Sequence, residues 1–261
     1  MDTMDDHMND TQALPPAVRE ELDMLARRYR RAGGVGMQVL NVIGVTAENL
    51  IERLPESMRG RLDRAAESAL TSALRAAHGS RGVVKDQPDW LNSAFTTAMG
   101  AAGGFGGWPS ALAEIPVTTT ILLRVIEGVA AEHGFDTDAE NVQFDVLNVF
   151  AAAGPLGRGE GADLGFLTAR FALSGTTVQA MITRVAPRFA TVLGQKLAAQ
   201  TVPVLGAMAG AATNYAFTSY YNEMAHVHFG LRRLAIEADV PHEALVEGLR
   251  ERIEKKRVKA A

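Results

Sequence analysis

The 261-residue chain has no cysteine. That excludes a disulfide framework, thiol nucleophiles and zinc sites built on thiolates. It also suits a reducing, cytoplasmic compartment. Aromatic residues are scarce, at 6%, while glycine occurs 25 times, so closely approaching helices are expected rather than large aromatic layers. Basic excess is missing too. The formal net charge is −4, and Asp2, Asp5, Asp6 and Asp10 account for all of it. A phosphate-backbone footprint would need a basic face, so no nucleic-acid partner is expected. Met1 to Asp10 has no apolar stretch of the kind a secretory signal carries. Residues 1–14 read as a disordered acidic tail and 15–258 as a single helical domain.

Catalytic signatures are equally sparse. There is no Gly-x-Ser-x-Gly, and Ser174-Gly175 lacks the strand–turn–helix setting of a nucleophile elbow. The five-glycine stretch Gly154–Gly165 lacks the Lys-Ser/Thr ending of a phosphate loop. No segment alternates apolar and polar residues in the manner of a strand, so the fold class is all-α. The expectation is a bundle of about nine or ten helices with two Gly/Ala-rich apolar helical segments.

What is present is helical periodicity. Pro15 to Arg31 reads as a first helix, with Val18, Leu22 and Leu25 on its apolar face and Gly33-Gly34 breaking it. Val35 to Leu54 follows as a second. Pro55 to about His78 is a third, with Leu62, Ala66, Ala69, Leu70, Ala73 and Leu74 at helical spacing. Pro109 opens a long helix with Pro116 in its second turn, and Gly134 closes it. Asp136 is expected to cap a helix running to about Ala153, and Asp163 one running to Arg184. Pro187 and Pro203 mark helix starts or kinks. Tyr215 to Ala238 reads as a long helix. Asp239 and Pro241 then supply a cap and a first-turn proline for a last helix faced by Leu245, Val246, Leu249 and Ile253.

Two runs stand out. Trp90 to Leu123 holds one charge, Glu114, and Leu197 to Asn222 holds none. Both exceed the roughly 20 residues that span a bilayer, yet Ala, Gly, Ser and Thr dominate them, which makes insertion marginal. Glycines recur at spacing four: Gly103 with Gly107, and Gly206 with Gly210. Such spacing lets backbones approach closely, in a membrane or in a tight bundle. The runs are therefore either buried core helices or a hairpin that sits in or enters a membrane.

Within them, Glu114 is either a first-turn carboxylate serving its own helix N-terminus or a polar group lining a cavity. Arg124 is placed to pair with Glu127 three residues on, or with Glu114. Asn214 is an amide in the middle of an apolar run and needs hydrogen-bond partners. Tyr215, Tyr220 and Tyr221 suit the polar edge of a membrane or bundle end. Glu223 and His226 share a helical face, whereas His228 points elsewhere. Helical di-metal sites need two Glu-x-x-His motifs, and only one occurs, so no metal or other cofactor is expected.

Beyond these readings, the residues resemble the central motif of the EcsC-like family. The resemblance is carried by a Gly-rich lead from Ala101, Trp108-Pro109, Glu114-Ile115-Pro116, Ile121–Ala131 and His133-Gly134-Phe135-Asp136. It continues in Pro203–Ala207, Asn214–Phe217 and Arg232-Arg233-Leu234. His133 stands where the family pattern usually has an aromatic. The resemblance implies a bacterial helical protein with no assigned reaction, linked by name to an ABC-transporter operon, some members carrying a loose peptidase label. Three readings follow. The first is a non-catalytic protein, peripheral to or partly embedded in the inner membrane, binding lipid or a membrane protein through its apolar hairpins. The second is a soluble hydrolase using Glu114 with His226 or His228. The third is a soluble scaffold for a protein partner.

Overall fold

In the computed structural model the described residues are 14–43, 64, 66–76, 107–151, 167, 178–200 and 206–258. The fold is all-helical, and the described residues contain no strand. The elements are α1 (Pro16–Ile43), α2 (66–76), α3 (Gly107–Glu132), α4 (Glu140–Phe150), α5 (Val178–Gln200), α6 (Gly206–Ala238) and α7 (His242–Val258). The expected number of nine or ten helices is not confirmed by these elements. The acidic tail, the Gly154–Gly165 loop, Asp163, Leu62, Pro203 and most of the Gly-rich lead lie outside the described residues.

The long helix α6 is the centre of the bundle. It packs against α1, α3, α4, α5 and α7. Its Phe217, Tyr221 and Phe229 are among the largest fully buried side chains, together with Leu22 of α1, Leu123 of α3 and Phe150 of α4. The predicted apolar faces of α1, α2 and α7 are buried: Val18, Leu22 and Leu25; Ala66, Ala69, Leu70, Ala73 and Leu74; Leu245, Val246, Leu249 and Ile253. A hydroxyl contact, Thr183 Oγ1 donating to Glu67 Oε1 at 3.0 Å, ties α5 to α2.

Several boundaries differ from expectation. Gly33-Gly34 does not break α1, which continues to Ile43. A glycine in a helix costs only about 1 kcal/mol relative to alanine, and the packing of α1 along α6 outweighs that cost. The stretch from Val35 to Ile43 is therefore the end of α1 rather than a second helix. Pro187 lies within α5, not at a helix start, and α5 passes Arg184. α6 begins at Gly206, well before Tyr215.

Helix ends follow local chemistry. Gly134 closes α3 as expected, in the left-handed conformation (φ 83°). Its N–H donates to the Ala131 carbonyl at 2.9 Å and that of Phe135 to Ala130 at 3.0 Å, the paired bonds of a Schellman cap. Asp136 does not cap α4. Its Oδ1 instead accepts from the Asp138 N–H at 3.0 Å, and Ala139 sits at the N-cap without a side-chain bond. Asp and Asn make such local turns readily, which competes with capping. Asp239 ends α6 in the left-handed region (φ 53°) rather than capping α7, whose first turn bonds back to the Pro241 carbonyl.

Candidate functional site

Polar residues gather in a seam along the middle and C-terminal half of α6. Helical periodicity sends them to different neighbours. Glu223 faces α1, His226 faces the end of α3, and His228 and Arg232 face α4.

Towards α1, Glu223 accepts from Arg28 Nη1 and Arg31 Nη1, one on each oxygen, both at 2.8 Å. Arg28 and Arg31 are three apart on α1 and so share a face. Towards α3, His226 Nδ1 lies 3.1 Å from His133 Nε2. His226 Nε2 lies 4.0 Å from Glu132 Oε2. His133 Nδ1 is buried and has no hydrogen-bond partner. An unpartnered lone pair is tolerated better than an unpartnered N–H, which puts the proton of His133 on Nε2. His133 then donates to His226 Nδ1, and His226 turns its own N–H toward Glu132. Burial, with the neighbouring His226, Arg233 and Arg28, lowers the pKa of His133 to about 4. Burial and Arg28 lower His226 to about 4, against an opposing pull from Glu223.

Towards α4, Arg232 Nη1 donates to Asp145 Oδ2 inside the core. Asp145 Oδ1 lies 3.3 Å from His228 Nε2, and both residues are essentially inaccessible, at 0% and 1% exposure. The Arg232 guanidinium also lies 4.4 Å over the ring of Phe135, just past the α3 cap. A carboxylate this deep needs a cation with it, and Arg232 supplies one.

The seam includes three of the six polar candidates expected from sequence: Glu223, His226 and His228. Asn214 is fully buried on α6, and its main-chain carbonyl accepts from Thr218 Oγ1 at 3.0 Å. Arg124 is half-buried on α3, one turn before the buried Glu127. The side chain of Glu114 lies outside the described residues, but its backbone belongs to α3. At 1.5 Å per residue, Glu114 stands about 27 Å along that helix from Glu132, the residue beside His226. No hydrogen bond spans such a distance, so the pairing of Glu114 with His226 or His228 does not form. Gly103 lies outside the described residues, Gly107 and Gly206 open α3 and α6, and Gly210 falls in the first turns of α6. Among the described glycines, the tight approach is at Gly230. Tyr220 and Tyr221 are core residues rather than edge residues. Tyr221 stacks on Phe150 (centroids 5.0 Å apart) and donates to the Phe150 carbonyl at 3.2 Å, an acceptor left over at the end of α4. Tyr215 alone of the three is exposed.

Sequence reasoning passed over Asp145, Arg28 and Arg31 as site residues. Asp145 carried a usable signal: it is the one charge of α4 after Glu140, set between Phe144 and the apolar Val146 and Leu147. Nothing local marks Arg28 and Arg31 as partners of a residue far along the chain.

Among the described residues no group of three or more His, Asp or Glu is placed to hold a metal ion. Nor is any helix of the described residues long and apolar enough to cross a membrane. In comparison with known proteins, the model of the EcsC protein family matches residues 62–234. No curated protein and no solved structure matches the chain.

Proposed function

The chain belongs to the EcsC protein family, and from that premise we propose that it works by binding rather than by catalysis, as a peripheral protein of the cytoplasmic membrane face. Its contacts in this reading are lipid or a membrane protein. The observation that carries the reading is how the chemically capable groups are used. Asp145 and Arg232 are engaged with each other in the core, and Glu223 is held by two arginines. Groups committed to buried ion pairs hold helices together and are poorly placed to exchange protons with a substrate. Meanwhile Val117 on α3 and Tyr215 on α6, at 44% and 49% exposure, present apolar and amphipathic surface on the helices that carry the two uncharged runs.

Flotation of the purified chain with lipid vesicles tests this reading. Binding to vesicles without detergent supports it. A chain that stays with the soluble fraction at every lipid composition, and that hydrolyses a peptide or ester substrate with turnover abolished by Asp145→Asn, would overturn it.

A further inference from the structure

Charge is spread unevenly along the chain. Residues 164–222 contain no Asp or Glu, yet they hold Arg170, Arg184, Arg188 and Lys196. Residues 55–78 are also net basic, with Arg59, Arg61, Arg64 and Arg75 against Glu56, Asp63 and Glu67. Both stretches stand out in a chain whose formal net charge is −4. The fold brings them together where Thr183 of α5 donates to Glu67 of α2 at 3.0 Å.

The arginines on these two helices differ from those elsewhere. Arg28, Arg31, Arg232, Arg233, Arg250 and Arg252 each meet a carboxylate. Arg64, Arg75 and Arg184 are exposed and make no ion pair among the described residues. Arg64 is helical just ahead of α2. Eleven residues are close to three full turns, so Arg64 and Arg75 share a direction to within about 20° and stand about 16 Å apart. The exposed Ser68 lies between them, while Ala66, Ala69, Leu70 and Ala73 take the opposite, buried side. Glu67 is turned about 60–80° from that line, onto the flank where Thr183 holds it. Arg184 follows Thr183 on the outer side of α5, whose Met181, Ile182, Val185 and Ala186 are buried. The exposed acids Asp138 and Glu140 stand at the start of α4. That is about 15 Å along the helix from Phe150, which packs on Phe189 of α5.

Resting on the lipid form of the binding reading above, we propose that the outer face of α2 and α5, carrying Arg64, Arg75 and Arg184, docks on the headgroups of an anionic membrane. The chemistry of the face selects that occupant. Unpaired guanidiniums meet lipid phosphates without first breaking an internal pair. Each cation at an anionic lipid surface strengthens binding about fivefold. A protein partner would instead need an apolar anchor at the centre of its contact. Among the described residues the large exposed hydrophobics are Met24, Val117, Tyr215 and Ile236, none of them on α2 or α5. Adsorption through charge also needs no membrane-spanning helix, and the described residues contain none.

The test uses the full chain and vesicles of phosphatidylcholine alone or with about one-third phosphatidylglycerol. Binding to the anionic vesicles that weakens as salt is raised is expected. The triple variant Arg64→Gln, Arg75→Gln, Arg184→Gln should bind them about a hundredfold more weakly, with an unchanged melting temperature because no ion pair is lost. Arg64→Gln with Arg75→Gln should cost about thirtyfold. Arg19→Gln with Arg27→Gln makes an equal change in net charge on α1, where the exposed Glu20 and Asp23 share the face, and should cost less than about threefold. Because the chain has no cysteine, Ser68→Cys and Met24→Cys variants each carry a single dye. Anionic vesicles bearing a headgroup quencher should dim the dye at position 68 and leave that at position 24 bright. If the chain binds vesicles but the two arginine pairs weaken it equally, or position 68 stays bright, the docking face is overturned while the binding reading stands. Binding of duplex DNA through the same arginines, with vesicles ignored, would assign the face to nucleic acid and overturn the proposal. If no vesicle is bound, the lipid form of the reading falls and this face with it.

Discussion

His133 Nε2 and His226 Nδ1 face each other at 3.1 Å where the end of α3 meets α6. One proton satisfies that contact. A second would set two N–H groups against each other, with Arg28 and Arg233 close by and Arg31 on the same face of α1. Burial first, and then the neighbouring cations, hold both rings low, at about 4, below the ordinary value near 6.5. The sign follows by linkage. The unfolded chain binds these protons more readily, so their contribution is fully present above about pH 6.5 and is lost as pH falls towards 4. Urea midpoints measured from pH 8 to pH 4 should fall through that window. The double variant His133→Phe, His226→Leu should show a smaller fall, because it removes the two groups whose protonation drives that loss.

The Asp145–Arg232 pair makes a different prediction. Removing one partner leaves the other charged and buried. Asp145→Ala should therefore destabilise by about 3–5 kcal/mol. Replacing both, with Asp145→Leu and Arg232→Met, should cost clearly less than the sum of the single changes, since no orphan charge remains. Additive losses in denaturant melts would contradict a coupled pair. His228 adjoins Asp145 and is left intact in every arm, so its contribution cancels in the cycle.

Much of the fold was legible because apolar spacing is a local signal. The buried faces of α1, α2 and α7 and the Gly134 cap were readable from neighbours within a few turns. The site was less so. That His226 and His228 part company follows from 3.6 residues per turn, but their partners, His133 and Asp145, depend on which helices pack beside α6. The break expected at Gly33-Gly34 failed for the same reason. Intrinsic propensity opposes the helix there by a small amount, and a long packed interface, invisible in the local sequence, prevails. Asp136 was misassigned because Asx turns and N-caps draw on the same residue types.

Glu223 holds two cations that are partly in water, so its contribution is screened. Glu223→Gln should cost about 1–2 kcal/mol, less than a fully buried pair. The loss should shrink as salt is raised, because the exposed Arg31 arm weakens first. Thermal melts of wild type and variant at low and high salt measure this directly. A salt-independent difference would place the contribution in the packing of the Glu223 stem instead.

Three helical glycines should respond to the same substitution with opposite signs. Gly33 and Gly34 lie inside α1, and a Cβ added at either meets nothing within 4 Å. Alanine there fits the existing backbone and reduces the freedom of the unfolded chain, so each change should stabilise by about 0.5–1 kcal/mol. Gly230 also lies in a helix, but a Cβ there would sit 2.7 Å from Leu25 Cδ2. Leu25 is itself buried at 3% exposure, so its side chain cannot swing into solvent. Overpacking of about 1–3 kcal/mol then opposes the propensity gain, and Gly230→Ala should lower stability overall. Adding Leu25→Val should recover part of that loss, because it removes the methyl nearest the new Cβ. Chemical denaturation of the three single variants and the double reads all four values. If Gly33→Ala and Gly34→Ala destabilise, α1 does not pass through them as one helix.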